Sequence, residues 1–124
     1  MAKLPRLPDA ELMIMNIIWR TGTDITSAEI SELLEGQKEW GASTILTLLS
    51  RLTEREFVKV RKRGRQNVYK AIVHEADYVK SESKSFLQRL HSNSLTSLIA
   101  SLYDGDAITT DDINELKGFI DDIK

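Results

Sequence analysis

The sequence predicts a mainly α-helical fold with one small β-hairpin, followed by a short helical tail. Three observations carry this. Apolar residues recur at i, i+3, i+4 and i+7, the spacing that aligns one face of an α-helix, as in Ile45, Leu48, Leu49 and Leu52 and again in Leu95, Leu98, Ile99 and Leu102. After Phe57 the period falls to 2 in Val58-Lys59-Val60-Arg61, the alternation of a half-exposed strand. The charge is also uneven. Residues 1–74 hold 12 Lys/Arg and 9 Asp/Glu, a net of +3, and residues 75–124 hold 5 and 10, a net of −5.

Helix 1 is expected from about Ala10 to Arg20, with Asp9 as the N-cap after Pro8, because a carboxylate there accepts an orphan backbone N–H. Its stretch Leu12–Trp19 is apolar almost all round, so the helix must be covered on several sides. Helix 2 starts at a capping box of Thr26 and Glu29, with Ile25 and Ile30 placed for a hydrophobic staple, and Gly36 is a plausible terminator. Helix 3 is expected from about Ala42 to Arg55. Its apolar stripe leaves Ser43, Thr44, Thr47, Ser50, Arg51 and Glu54 on the opposite face.

The strands Val58–Arg61 and Asn67–Ile72 are expected to pair as a hairpin with Gly64 at or near the tip. From Arg51 to Lys70 there are 8 basic and 2 acidic residues, a net of +6. Three tail helices follow. One covers roughly Ala76–His91 with Val79, Phe86, Leu87 and Leu90 inward. The second covers Ser94–Tyr103. The third is capped by Thr109 with Asp112, with Ile108 and Ile113 as its staple, and carries Ile113, Leu116, Phe119, Ile120 and Ile123 as its stripe. A tail this small buries little by itself. A second copy is its natural completion, through Phe86, Leu90, Leu95, Leu98, Ile99, Leu102, Leu116 and Ile120.

Composition excludes several classes. The 124 residues suit one domain, or one with an appendage. We therefore expect residues 1–74 to form one domain and 75–124 a helical dimerisation domain. Six Gly and two Pro are too few for a disordered or collagen-like chain. With no Cys and two His, thiolate sites are excluded and His-based metal sites are disfavoured. No cofactor is expected. No apolar run is long enough to span a bilayer, and the N-terminus lacks a signal-peptide pattern, so a cytoplasmic protein without a membrane partner is expected. No nucleophile, base or metal cluster suggests an enzyme. The pairs Asp111-Asp112 and Asp121-Asp122 lie on or beside a surface helix.

The order helix, helix, turn, helix, basic hairpin is that of a winged helix-turn-helix. A helix fits the DNA major groove, where its N-terminal residues meet base edges, and a basic hairpin grips phosphates. The candidate DNA-binding residues are Ser43, Thr44, Leu46, Thr47 and Arg51 on helix 3, and Arg63 and Arg65 on the hairpin. Trp19 and Trp40 are expected to pack within the fold. A winged-helix protein-interaction module is the alternative, and so is a regulator gated by a small molecule.

The chain resembles the penicillinase-repressor family, the BlaI/MecI type, related to the copper-responsive CopY repressors. The resemblance rests on Leu7…Ala10-Glu11…Met15…Ile18-Trp19, Thr26-Ser27-Ala28-Glu29-Ile30, Trp40, Ser43-Thr44-Ile45…Thr47-Leu48…Arg51-Leu52 and Arg65…Tyr69-Lys70-Ala71. In the tail it rests on Lys84-Ser85-Phe86-Leu87 and Ser97-Leu98. It implies a homodimeric transcriptional repressor on a palindromic double-stranded DNA operator, with a regulatory protease or sensor as a further partner. It also implies that Ser43, Thr44, Thr47 and Arg51 occupy recognition-helix positions and Arg63 and Arg65 the wing. Two departures stand out. Leu46 lies where relatives often carry a basic residue, and Ser101-Leu102 lies where β-lactam-responsive members are cut at Asn-Phe. The absence of Cys excludes copper sensing by thiolates.

Overall fold

A computed structural model describes residues 4–124. Residues 1–3, part of the N-terminal stretch read above for a signal peptide, lie outside the described residues. The elements run α1 (Asp9–Thr21), β1 (Ile25–Thr26), α2 (Ser27–Leu34), α3 (Ala42–Glu54), β2 (Val58–Arg63), β3 (Gln66–Ala71), α4 (Glu75–His91), α5 (Leu95–Asp104) and α6 (Thr110–Ile123). The strands form one antiparallel sheet in the order β1-β3-β2. The fold is mainly helical with a small sheet, as expected.

Local rules account for most boundaries. At α2 the Thr26 hydroxyl oxygen accepts the Glu29 N–H at 3.1 Å, and the Glu29 carboxylate accepts the Thr26 N–H at 3.0 Å. Both staple residues, Ile25 and Ile30, are buried. The same reciprocal cap forms at α6 between Thr109 and Asp112. Helix α1 ends on Gly22 at φ 74°, whose N–H reaches the Ile18 carbonyl at 3.1 Å, a left-handed geometry that glycine adopts without steric penalty. The start of α1 departs from expectation. Pro8 is the N-cap and no side chain caps the helix. Asp9 is instead the first helical residue, where its charge favours the positive end of the helix dipole.

The core gathers the buried faces of α1, α2, α3 and the sheet, including Ile14, Met15, Ile18, Ile30, Leu34, Ile45, Leu49, Leu52, Phe57 and Val58. Trp19 and Trp40 pack against it as expected, and the Trp19 indole N–H donates to the Val73 carbonyl at 2.9 Å. Two features were not foreseen. Ile25-Thr26 does more than start α2, because it pairs with Tyr69 and Val68 as β1. Glu11, on α1, is 1 % exposed and accepts from Arg55 Nε at 2.8 Å, the pairing that a buried carboxylate requires.

The chain divides into two compact units, one ending at Ser81 and the other spanning Glu82–Lys124. The division falls inside α4, beyond residue 74. The reason is Tyr78. Its ring lies 5.6 Å from Phe57 and 5.7 Å from Trp19 between centroids, and its hydroxyl oxygen accepts the Leu7 N–H at 2.9 Å. Tyr78 is therefore buried and its neighbour Val79 is 51 % exposed. This corrects the expectation that Val79 faces inward: a ring that also satisfies a buried backbone donor decides the rotational phase of the first turns of α4. In the second unit the half-buried apolar residues are Leu87, Leu98, Ile99, Leu102, Ile108, Ile113 and Leu116, and no apolar side chain is fully buried.

Candidate nucleic-acid interface

Helix α3 is strongly two-sided. Ile45, Leu48, Leu49 and Leu52 are buried, and this locks the helix by its apolar stripe. Ser43, Thr44, Leu46, Thr47, Ser50 and Arg51 are all exposed on the other side. Leu46 is 47 % exposed, an apolar side chain among hydroxyls. The Thr47 hydroxyl donates to the Ser43 carbonyl at 3.0 Å, so towards a base it offers oxygen lone pairs rather than its proton. The N-cap of α3 is Gly41, without a side-chain cap and with no acid in the first turn. The unpaired N–H groups and positive dipole end there are left open to an anion.

The wing is the β2–β3 hairpin. Arg63 pairs with Gln66 across a two-residue loop of Gly64 and Arg65. Of these two only Gly64 has positive φ, at 65°, the pattern of a type II′ turn, which holds Arg65 at the tip. Strand alternation puts Lys59, Arg61 and Arg63 on one face of β2. Lys59 is paired directly with Lys70, and both are exposed.

The basic segment Arg51–Lys70 is not uniformly available. Arg55 is tied to Glu11, and Arg61 forms an ion pair with Asp24, just ahead of β1. Sequence reasoning missed both, since the acids lie outside the segment and no local signal links them to it. Among the described residues, Arg51, Lys59, Lys62, Arg65 and Lys70 have no ion-pair partner. Arg63 has no direct ion pair, but its charge adds to the effect of the Thr26 backbone and side-chain hydrogen bonds, which hold the Glu29 carboxyl below its usual value. All the sequence-predicted DNA contacts, Ser43, Thr44, Leu46, Thr47, Arg51, Arg63 and Arg65, thus lie exposed on one compact unit.

In the second unit, Leu95, Ile99, Leu116 and Ile120 line one open apolar groove between α5 and α6, with Tyr103 and Ile113. Leu98 and Leu102 are half-buried and lie outside its lining, while Phe86 and Leu90, expected to face inward, are exposed on α4, which leaves Leu87 alone of that set half-buried. The Phe86 ring lies 5.8 Å from His91. Ser101 and Leu102 lie within α5. Among the described residues, no group of acids and histidines is arranged to hold a metal and no helix is long and apolar enough to cross a membrane.

Residues 7–122 match the penicillinase repressor family. A penicillinase repressor of Bacillus licheniformis is 34 % identical over the whole chain and 96 % of its own length. The chain belongs to the penicillinase repressor family. The methicillin resistance regulatory protein MecI of Staphylococcus aureus is 29 % identical over 95 % of both chains. Among solved structures, the monomeric form of Bacillus licheniformis BlaI in complex with the blaP half-operator is 36 % identical. It covers 63 % of this chain and 94 % of that one, with a TM-score of 0.53. The chain is thus a winged-helix transcriptional repressor of the penicillinase repressor family, and not an enzyme.

Proposed function

We propose that this repressor binds DNA as a homodimer on a palindromic operator. The N-terminal part of α3 enters the major groove and the β2–β3 wing grips the flanking backbone. The observation that carries this reading is the Lys59–Lys70 pair. Like charges directly opposite on neighbouring strands destabilise a sheet, so their presence on the wing is best explained by an anion that both face. The open N-terminus of α3, its small hydroxylated face and the unpaired Arg51 and Arg65 support the same reading. So does the half-operator complex of the BlaI relative. A protein-docking module has no need of such a cation-rich wing.

Within this reading Ser43, Thr44 and Thr47 read base edges, Leu46 packs on a thymine methyl, and Arg51, Arg63 and Arg65 bind phosphate. The dimer is supported by the second unit, whose apolar residues find no complete cover within one chain. The groove between α5 and α6 is the expected seat of the partner copy. Two subunits related by a two-fold axis then require half-sites about one helical turn, or a multiple of it, apart.

Selection of bound sequences from random duplex DNA by the full chain tests the proposal. An enriched inverted repeat with that spacing is expected. Failure to enrich any sequence would refute it. Replacing Arg63 and Arg65 together by Ala should weaken binding to all duplexes, whereas Thr44→Ala or Thr47→Ala should mainly lower discrimination.

A further inference from the structure

We infer that Asp24 is an internal competitor for DNA phosphate, withholding Arg61 of the wing from the duplex. The inference rests on the DNA-binding reading above and concerns one side chain of it. Lys59, Arg61 and Arg63 alternate onto one face of β2, so a backbone that meets Lys59 and Arg63 is within reach of Arg61 too. In the register of the sheet, Arg61 is paired with Val68, and Val68 with Thr26 of β1. Asp24 lies two residues before Thr26. The Arg61 guanidinium extends across β3 and donates to the Asp24 carboxylate.

The two partners are unequal. The Arg61 side chain is 65 % exposed and that of Asp24 only 13 %. A guanidinium that moves to a phosphate keeps an anionic partner. The carboxylate it leaves keeps none, because Arg61 is its one ion-pair partner among the described residues, so the existing ion pair must be given up before phosphate is met. Phosphate must therefore compete with an anion already in place. Arg63, two residues on and on the same face, has no direct ion pair and is the internal control. Phosphate contacts carry no sequence information, so Asp24 lowers affinity for operator and unrelated duplex alike, and with it the salt dependence.

The test is fluorescence anisotropy of full-length protein on operator and unrelated duplex over a salt series, for wild type, Asp24→Asn, Arg61→Ala, the double variant and Arg63→Ala. Each phosphate neutralised contributes a slope of about −0.9 in log K against log salt. Asp24→Asn is expected to steepen the slope by about 0.9 and to tighten binding about eightfold at 0.1 M salt for each bound subunit, equally on both duplexes. Arg61→Ala should leave the wild-type slope unchanged, and the double variant should match Arg61→Ala. Arg63→Ala should flatten the slope by about 0.9 per bound subunit.

The inference is overturned if Arg61→Ala alone flattens the slope by that amount, since Arg61 would then already sit on phosphate. It is equally overturned if a folded Asp24→Asn leaves the slope unchanged, or improves binding to the operator only. Should Asp24→Asn fail to fold, the exposed Arg61→Ala decides alone. A wild-type chain with no salt-dependent duplex binding overturns the DNA-binding reading itself, a result distinct from all of these.

Discussion

Replacing Lys70 by Glu should make the wing more stable and the repressor weaker. Lys70 is the direct cross-strand partner of Lys59, which puts their Cβ atoms about 5 Å apart. If the two ammonium groups splay to about 7 Å, their repulsion in water is about 0.6 kcal/mol. At 0.1 M salt, with a screening length of about 10 Å, roughly half of that remains. Lys70→Glu turns this repulsion into attraction of similar size, a change of about 0.6 kcal/mol, within the range measured for cross-strand charge pairs. For a unit of this size that raises the melting midpoint by about 2–5 °C. Lys70→Gln should give about half the gain, because it removes the repulsion alone. On duplex DNA the order reverses. Losing one phosphate contact costs about eightfold at 0.1 M salt and flattens the slope by about 0.9 per subunit, and a glutamate facing phosphate costs more. Thermal melts followed by circular dichroism, paired with anisotropy on duplex DNA, read both effects. A Lys70→Glu chain that melts lower than wild type would refute the cross-strand repulsion, and one that binds DNA with an unchanged salt slope would show that the lysine pair does not face phosphate.

Three further outcomes are expected. Thr26→Ala removes the cap of α2 at a buried position and should cost about 1 kcal/mol in urea unfolding. Glu29 has a folded-state pKa held below its ordinary 4.5, first by the Thr26 backbone hydrogen bond, then by the Thr26 side chain. Its stabilising contribution is therefore fully present above the unfolded value and is lost as pH falls through the folded one. Glu29→Gln should accordingly show a shallower loss of stability than wild type below about pH 4.5, and an identical acid limb would contradict the shift. Ile99→Asp with Ile120→Asp, in the apolar groove of the second unit, should convert dimers to monomers in sedimentation while leaving the helix content of the first unit in place.

Much of the fold was legible because its signals are local. The capping boxes of Thr26 with Glu29 and Thr109 with Asp112 need residues three apart. The stripe of Ile45, Leu48, Leu49 and Leu52 needs only the helical period. Gly64 marks the hairpin tip because a two-residue loop demands positive φ there. For the same reason the candidate interface was readable: whatever a buried stripe does not use on α3 must face outward, and Ser43, Thr44, Thr47 and Arg51 do.

The sequence by itself determined the six helices and the hairpin, their order, the exposed face of α3 and the surplus of charge on the wing. Only the tertiary structure decided which of those charges remain available. Arg55 meets Glu11 across 44 residues and Arg61 meets Asp24 across 37. Tyr78 reaches Leu7 across 71 residues and so sets which side of α4 is buried. β1 exists as a strand because Val68 and Tyr69 lie alongside Ile25 and Thr26. A helical face follows from the covalent period of the backbone, and any window of sequence displays it. An ion pair or a strand partner depends on which distant segments the closed core brings within a few ångströms, and that is a property of the packing as a whole.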